Sequence, residues 1–190
     1  ATTEPEWLDR AEKMTAFAYK VASKNNWRIP EYYDEEWQPS LEAGKLCNDG
    51  RRYHEGYVTG HSMQLARFAL QVRAGLRSTG WAVPDYLMEL GTELFERARV
   101  DGWRRTDGAP GFSTAVNDQG DPMPGEDEHQ QWVVCEGVCA TVAVRRAMLD
   151  DGHRIDEVEH FEHCYRSFVD YIHDYLIAQP GRWIRRLGPH

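Results

Sequence analysis

Long apolar runs, surplus basic charge, zinc-finger cysteine pairs and glycine-rich phosphate loops are all missing from this 190-residue chain. Each absence removes a class of function. No stretch approaches the roughly 18 to 20 consecutive apolar residues that a membrane span needs, so no membrane partner is expected. Basic charge is outnumbered, with 22 Lys and Arg against 31 Asp and Glu and a net charge of −9. Nucleic acid and anionic lipid both call for a basic face, so neither is an expected partner. The opening residues ATTEPEWLDR carry neither the basic nor the apolar region of a signal peptide, and the expected location is the cytoplasm. Four cysteines, Cys47, Cys135, Cys139 and Cys164, are no disulfide framework for a chain with its own core, and reduced thiols are expected. Cys135 and Cys139 stand four apart in an apolar segment with no second pair following, which predicts core packing for both. Neither Gly-x-Gly-x-x-Gly nor a Walker-type loop occurs, so a nucleotide cofactor is not expected, and the Gly-x-Ser-x-Gly elbow of a serine nucleophile is lacking too.

What is present is enough to build a core: 41% of residues are hydrophobic, and seven Trp, nine Tyr and six Phe contribute large apolar surfaces. Length suits one domain or a piece of a larger one, and residues 1–190 read as a single unit. Periodicity of three and four predicts an all-α chain. A first helix is expected from Glu6 to Ser23, with Leu8, Ala11, Met14, Thr15 and Ala18 on one face. Trp27 to Gly60 is irregular and rich in aromatic residues; within it Arg28 to Tyr33 has the composition of an extended segment. A second helix after Gly60 carries Leu65, Phe68, Ala69, Val72 and Leu76 on one stripe and stops at Ser78-Thr79-Gly80. Pro84 suits the first turn of a third, from Asp85 to Val100, with Leu87, Leu90, Leu94 and Phe95 inward. Gly111 to Val116 reads as a short strand before a turn at Asn117 to Gly120. Fourth and fifth helices are expected from Glu128 to Leu149 and from Ile155 to Ile177, the latter burying Ile155, Val158, Phe161, Tyr165, Phe168, Ile172 and Leu176. Long loops alternate with tight turns, the pattern of stacked helical hairpins whose long connections gather on one rim. That rim is the expected place of a site.

Candidate chemistry falls at two helix starts. His61 follows Gly60 and shares a helical face with Gln64 and Leu65, which aims an imidazole able to carry protons near neutral pH at the rim end of the packed layer. Trp132 and Glu136 stand four apart at the start of the fourth helix. A carboxylate facing a helical core needs a partner or a polar cavity, with Arg51, Arg52 and Arg67 as candidate partners, and the neighbouring indole offers a flat platform for a sugar. His160 and His163 share the polar phase of Asp156, Ser167, Asp170 and Asp174, which predicts a solvated face and no metal site. His54 and His129 lie in loops with no role assigned.

Several stretches together resemble the N-acylglucosamine 2-epimerase superfamily, and most closely its aldose–ketose isomerase branch, which includes mannose and sulfoquinovose isomerases. Tyr57-Val58-Thr59-Gly60-His61-Ser62-Met63-Gln64-Leu65-Ala66-Arg67 is similar to the family's Thr-Pro-Gly-His-x-x-Glu-Trp-x-Arg helix start. Trp7 to Ala11, Glu31 to Pro39, Gly111 to Pro122 and Gln131 to Glu136 follow in the family's order. The resemblance implies part of an (α/α)6 barrel with its pocket at the loop-rich rim, and a cofactor-independent enzyme that interconverts an aldose and a ketose of the mannose/fructose type through a cis-enediol. It implies His61 as a catalytic acid/base, Arg51 as a sugar-binding arginine, and Gln64, Trp132 and Glu136 as pocket residues. Three positions depart from the pattern: Gln64 replaces Glu, Leu65 replaces Trp and Thr59 replaces Pro. A Gln carries no charge with which to raise the basicity of His61. The family's Lys-x-Asp-x-Tyr-His segment, with its second histidine, does not occur, so the barrel is expected to need further chain segments or a second chain. The resemblance leaves a sugar or N-acylhexosamine 2-epimerase as an alternative. A non-catalytic carbohydrate-binding or half-barrel interaction module is another. A glycoside hydrolase would need two opposed carboxylates, and only Glu136 is a candidate.

Overall fold

Apolar residues spaced by three and four place one long helix at the start of the chain and two helical hairpins after it. The computed structural model describes residues 5–37, 56–104, 111–123 and 128–188. Helix α1 spans Pro5–Ala22. The first hairpin pairs α2, Thr59–Thr79, with α3, Tyr86–Gly102. The second pairs α4, Gln131–Asp150, with α5, Glu159–Tyr171, and α2 packs against α4 to join them. Gly80 ends α2 in the left-handed region at φ 72°, and the amide of Trp81 closes the helix on the Leu76 carbonyl at 3.0 Å.

Short strands gather at one end of these helices, as the loop lengths predict. Strand β1, Tyr57–Val58, leads into α2, and β2, Trp103–Arg104, leaves α3. After them come β3, Gly111–Phe112, and β4, Ala115–Val116. Strand β5, His129–Gln130, leads into α4; β6, Ile177–Gln179, β7, Arg182–Trp183, and β8, Arg186–Leu187, follow the fifth helix. All pairing is antiparallel: β1 with β4 (Tyr57 opposite Val116), β2 with β3 (Trp103 opposite Phe112), β5 with β8 (His129 opposite Leu187), and β6 with β7 (Ile177 opposite Trp183). The tight turns 80–85 and 151–154 lie at the opposite ends of the hairpins.

The core runs between the hairpins. Leu87, Leu90, Leu94 and Phe95 of α3 are fully buried, as their spacing predicts. Beneath the strand-bearing rim an aromatic cluster closes the core, with Trp103 at 5.0 Å from Phe112 and 4.7 Å from Phe168 between ring centroids. A buried ion pair ties the loop after α1 to the end of α3: Arg28 Nε and Nη2 donate to the two Asp101 oxygens at 2.7 and 3.0 Å.

Five expectations are corrected. The Gly111–Val116 stretch is two strands in different sheets, because Thr59 takes the carbonyls between them: its Oγ1 donates to Ser113 O at 2.7 Å and its amide to Thr114 O at 3.1 Å. Residues 28–32 pair in no strand and only Tyr33 takes a bridge: Asn26 and Trp27 turn the backbone at φ 50° and 59°, and the buried side chain of Arg28 anchors the segment to α3. The fifth helix begins with a 3-10 turn over Ile155–Val158 and ends in a π turn over Ile172–Leu176, and Ile155 is 76% exposed, outside the buried stripe. The α2 stripe divides: Ala69 and Leu76 face the core, whereas Leu65, Phe68 and Val72 line a groove of about 860 Å³ against Leu8, Phe17 and other residues of α1. Cys139 is exposed in a groove between α2 and α4, while Cys135 is half-buried, so only Cys164 of the described cysteines is a core residue. Among the described residues no helix is long and apolar enough to cross a membrane.

Candidate active site

The site forms where the first turns of α2 and α4 meet the loop that follows α1. Strand β1 and the Thr59 hydrogen bonds fix where α2 begins, so that Gly60 and His61 stand at the rim. Gly60 is required by contact: a Cβ there would lie 2.5 Å from Cη2 of Trp132, whose ring covers the helix start from α4. Trp132 is held by its own Nε1, which donates to Gln130 Oε1 at 2.9 Å. Its ring sits 5.2 Å from the His61 imidazole, tilted by 39°. The indole therefore forms a wall beside His61.

His61 is half-exposed, and its Nδ1 lies 2.8 Å from Glu31 Oε2. A carboxylate only accepts, so Nδ1 carries the proton and the neutral ring presents its lone pair on Nε2. Nε2 makes no hydrogen bond among the described residues. The hydrogen bond to Glu31 raises the His61 pKa above its ordinary value; partial burial opposes this, and the charges of Glu31 and Glu136 add to it. Sequence reasoning ties the basicity of this ring to position 64. The structure supplies the carboxylate from position 31 instead.

Gln64 has a different task. Its Nε2 donates to Glu136 Oε1 at 3.0 Å, and Arg67 donates to Glu136 Oε2 from Nη2 at 2.9 Å and Nε at 3.2 Å. Glu136 and Arg67 are each about one-fifth exposed, so the pair bridges α2 and α4 in a partly desolvated setting. Of the three arginines weighed as partners for Glu136, Arg67 pairs with it, and Arg51 and Arg52 lie outside the described residues. Glu136 Oε1 takes only the Gln64 bond among the described residues and keeps acceptor capacity for a further hydroxyl.

The structure thus brings together His61, Gln64, Trp132 and Glu136, and adds Glu31 and Arg67. Arg51 lies outside the described residues, as do His54 and Cys47. His129 is drawn into the rim, its Nδ1 2.9 Å from Phe112 O. His160 is exposed and pairs with Glu96 at 2.7 Å on the outer side of α3, in keeping with a solvated face, and His163 is exposed. Among the described residues no group of three or more His, Cys, Asp or Glu could hold a metal ion. Glu31 was visible to sequence reading only as part of the acidic, aromatic Glu31-to-Pro39 segment, and nothing local marks it as a partner of His61.

Comparison with known proteins gives the arrangement its setting. The model of the N-acylglucosamine 2-epimerase (GlcNAc 2-epimerase) family matches residues 1–190. A D-mannose isomerase of Thermobifida fusca is 28% identical over 193 residues, covering 100% of this chain and 43% of that protein. A D-mannose isomerase of Pseudomonas cannabina pv. alisalensis is 30% identical over 190 residues, covering 98% and 43%. A crystal structure of D-mannose isomerase superposes with a TM-score of 0.78 at 21% identity, covering 98% of this chain and 44% of that one. The chain spans less than half the length of these relatives. Helical hairpins with their strands on one rim are accordingly part of an (α/α)6 barrel. With its whole length matched and the barrel architecture in place, the chain belongs to the N-acylglucosamine 2-epimerase family.

Proposed function

We propose that this chain supplies the His61 side of a cofactor-independent sugar isomerase that interconverts an aldose and a ketose of the mannose/fructose type. The observation that carries the reading is the imidazole itself: Nδ1 is engaged by Glu31, Nε2 is left with its lone pair, and an indole wall stands beside it. In this reading the open-chain aldose lies along Trp132. Nε2 of His61 removes the C2 proton, the C–H electron pair forms the C1=C2 bond, and the carbonyl electrons move to O1, which takes a proton to give the cis-enediol. Loss of the O2 proton then restores a carbonyl at C2, and the His61 imidazolium, whose N–H exchanges with solvent between the two transfers, protonates C1. An acid/base with a pKa near the working pH serves both transfers. The imidazolium formed between them is stabilised by the Glu31 carboxylate. Glu136, oriented by Gln64 and Arg67, holds a sugar hydroxyl through its remaining acceptor capacity, and Arg51 is assigned to the sugar as well.

The family match also favours a second reading, a 2-epimerase of a sugar or N-acylhexosamine. The first step is the same, but the proton returns to C2 from the opposite face. A substituent at C2 separates the two, since an N-acyl group blocks simple conversion to the ketose.

The exposed groove between α1 and α2 supports a further element of the proposal: the rest of the barrel packs there. Trp7, Phe17 and Phe68 are 51%, 48% and 42% exposed along it, large apolar side chains side by side that a packed neighbour would cover. Proton NMR of mannose and of N-acetylmannosamine in deuterium oxide tests the chemistry. Mannose is expected to give fructose with deuterium entering the carbon framework, and His61→Asn to abolish it while the helical circular dichroism stays unchanged. The wild-type rate is expected to rise with pH through a midpoint above 6.5, the ordinary imidazole value, because the base form acts and its pKa is raised. Activity of His61→Asn within a few fold of wild type overturns the reading.

A further inference from the structure

We infer that Glu31 is the positioning residue for His61 and that the buried Arg28–Asp101 ion pair, three residues earlier in the chain, is the device that holds it in place. The inference rests on the reading of His61 as a proton carrier and assigns residues that the helix-start motif does not contain. Helix α2 offers nothing to Nδ1 of His61. Gln64, one turn on, has its amide turned to Glu136, and Arg67 is paired there as well. The carboxylate comes instead from a segment that is neither helix nor strand.

A carboxylate on an irregular segment keeps a 2.8 Å hydrogen bond only if the segment itself is immobilised. Donors from four residues do this. The amide of Trp27 closes on Ala22 O at 2.8 Å, so the chain turns directly off α1. Asn25 Nδ2 donates to Arg28 O at 3.0 Å and to Tyr57 Oη at 3.3 Å, tying the turn to the strand that precedes α2. The Arg28 guanidinium, whose side chain is 6% exposed, makes the bidentate bond to Asp101 and a third bond from Nη1 to Asp118 O at 2.9 Å. Arg97 adds a donor to Asp101 Oδ1 at 3.1 Å.

Burying two charges carries a desolvation cost that often exceeds what an apolar pair would require, so stability alone is a weak reason for such a pair here. Geometry is a better one. The planar fork of an arginine locks both the direction and the register of the chain that carries it. With Arg28 fixed at the end of α3, Pro30 is buried and Glu31 emerges beside the start of α2. The charged groups that face His61 among the described residues are Glu31 from this segment, Glu136 from α4, and Arg67 on its own helix, which neutralises Glu136. Among the described residues Glu31 is therefore the unneutralised charge at the ring. It orients the imidazole, keeps the proton on Nδ1 and leaves Nε2 to act.

The test is a titration of the His61 Cε1 proton by NMR in wild type, Glu31→Gln, Glu31→Asp and Asp101→Asn, read beside the pH–rate profile for mannose. Glu31→Gln is expected to lower the His61 midpoint, to shift the acid limb of the profile in the same direction and to reduce kcat by roughly 10²-fold with KM little changed. Glu31→Asp, which keeps the charge on a shorter arm, is expected to recover part of the midpoint. In the Asp101→Asn background, the effect of Glu31→Gln on the midpoint is expected to shrink, because the carboxylate is no longer held. A His61 midpoint equal in wild type and Glu31→Gln overturns the pairing, and an undiminished Glu31→Gln effect in the Asp101→Asn background overturns the anchor. Absence of isomerisation in the wild type counts against the proposed function, and the titration still decides Glu31.

Discussion

Replacing Gly60 by Ala separates the stability of α2 from the shape of the site. The added Cβ would stand 2.5 Å from Cη2 of Trp132 and 3.1 Å from Cε3, whereas ordinary contact begins near 3.4 Å. The indole must therefore retreat by about 1 Å or tilt away. Its freedom to do so is small, since Nε1 is bonded to Gln130 and the ring packs beside His61. Alanine in place of glycine within a helix favours the helix by up to about 1 kcal/mol. Overpacking against a held ring costs about 1 to 3 kcal/mol. The two nearly offset, and the net loss of stability is expected to be about 0 to 2 kcal/mol by urea denaturation. Activity has no such compensation: a wall moved by about 1 Å beside the proton carrier is expected to lower kcat/KM by roughly 10²-fold. Tryptophan fluorescence should report the displaced ring. A Gly60→Ala protein with undiminished kcat/KM refutes the placement of Trp132 over the helix start.

Packing supplies two further predictions. Asp101→Ala leaves the Arg28 guanidinium buried without its partner and is expected to lose about 3 to 5 kcal/mol in urea melts; a loss under about 1 kcal/mol, the value for a surface pair, refutes the buried role. The 190-residue polypeptide is expected to enhance the fluorescence of the apolar dye ANS through the α1–α2 groove, with Met14→Glu and Phe68→Glu together removing most of the signal. Dye binding unaffected by the pair of substitutions would place the exposed apolar surface elsewhere.

Periodicity made the helices legible. The residues expected inward on α3 are the ones fully buried, and the expected ends of α1 to α4 fall within about three residues of those observed. Spacing also put His61 with Gln64, and Trp132 with Glu136, on the faces where they are found. Errors arose where local pattern and distant contact disagree. Phe68 and Met14 fit an apolar stripe and yet stand exposed, because a stripe states which residues share a face and not whether anything covers it. Cys139 fits the α4 segment in composition and is exposed for the same reason. The strand at 111–116 broke because Thr59, far away in the chain, takes the carbonyls in its middle.

Local order, then, was written in the chain itself: helix period, the glycine at the α2 start, the long and short connections that send strands to one rim. Hydrogen bonding and burial within a few residues decide these, and neighbours in sequence suffice. The site's electrostatics were not. Glu31 reaches His61 across 30 positions, Gln64 reaches Glu136 across 72, and Arg28 reaches Asp101 across 73. No periodicity links such residues. Only the packing of α2 against α4, and of the loop after α1 against the end of α3, brings these charges within hydrogen-bonding distance, and so tertiary structure alone decided which carboxylate His61 answers to.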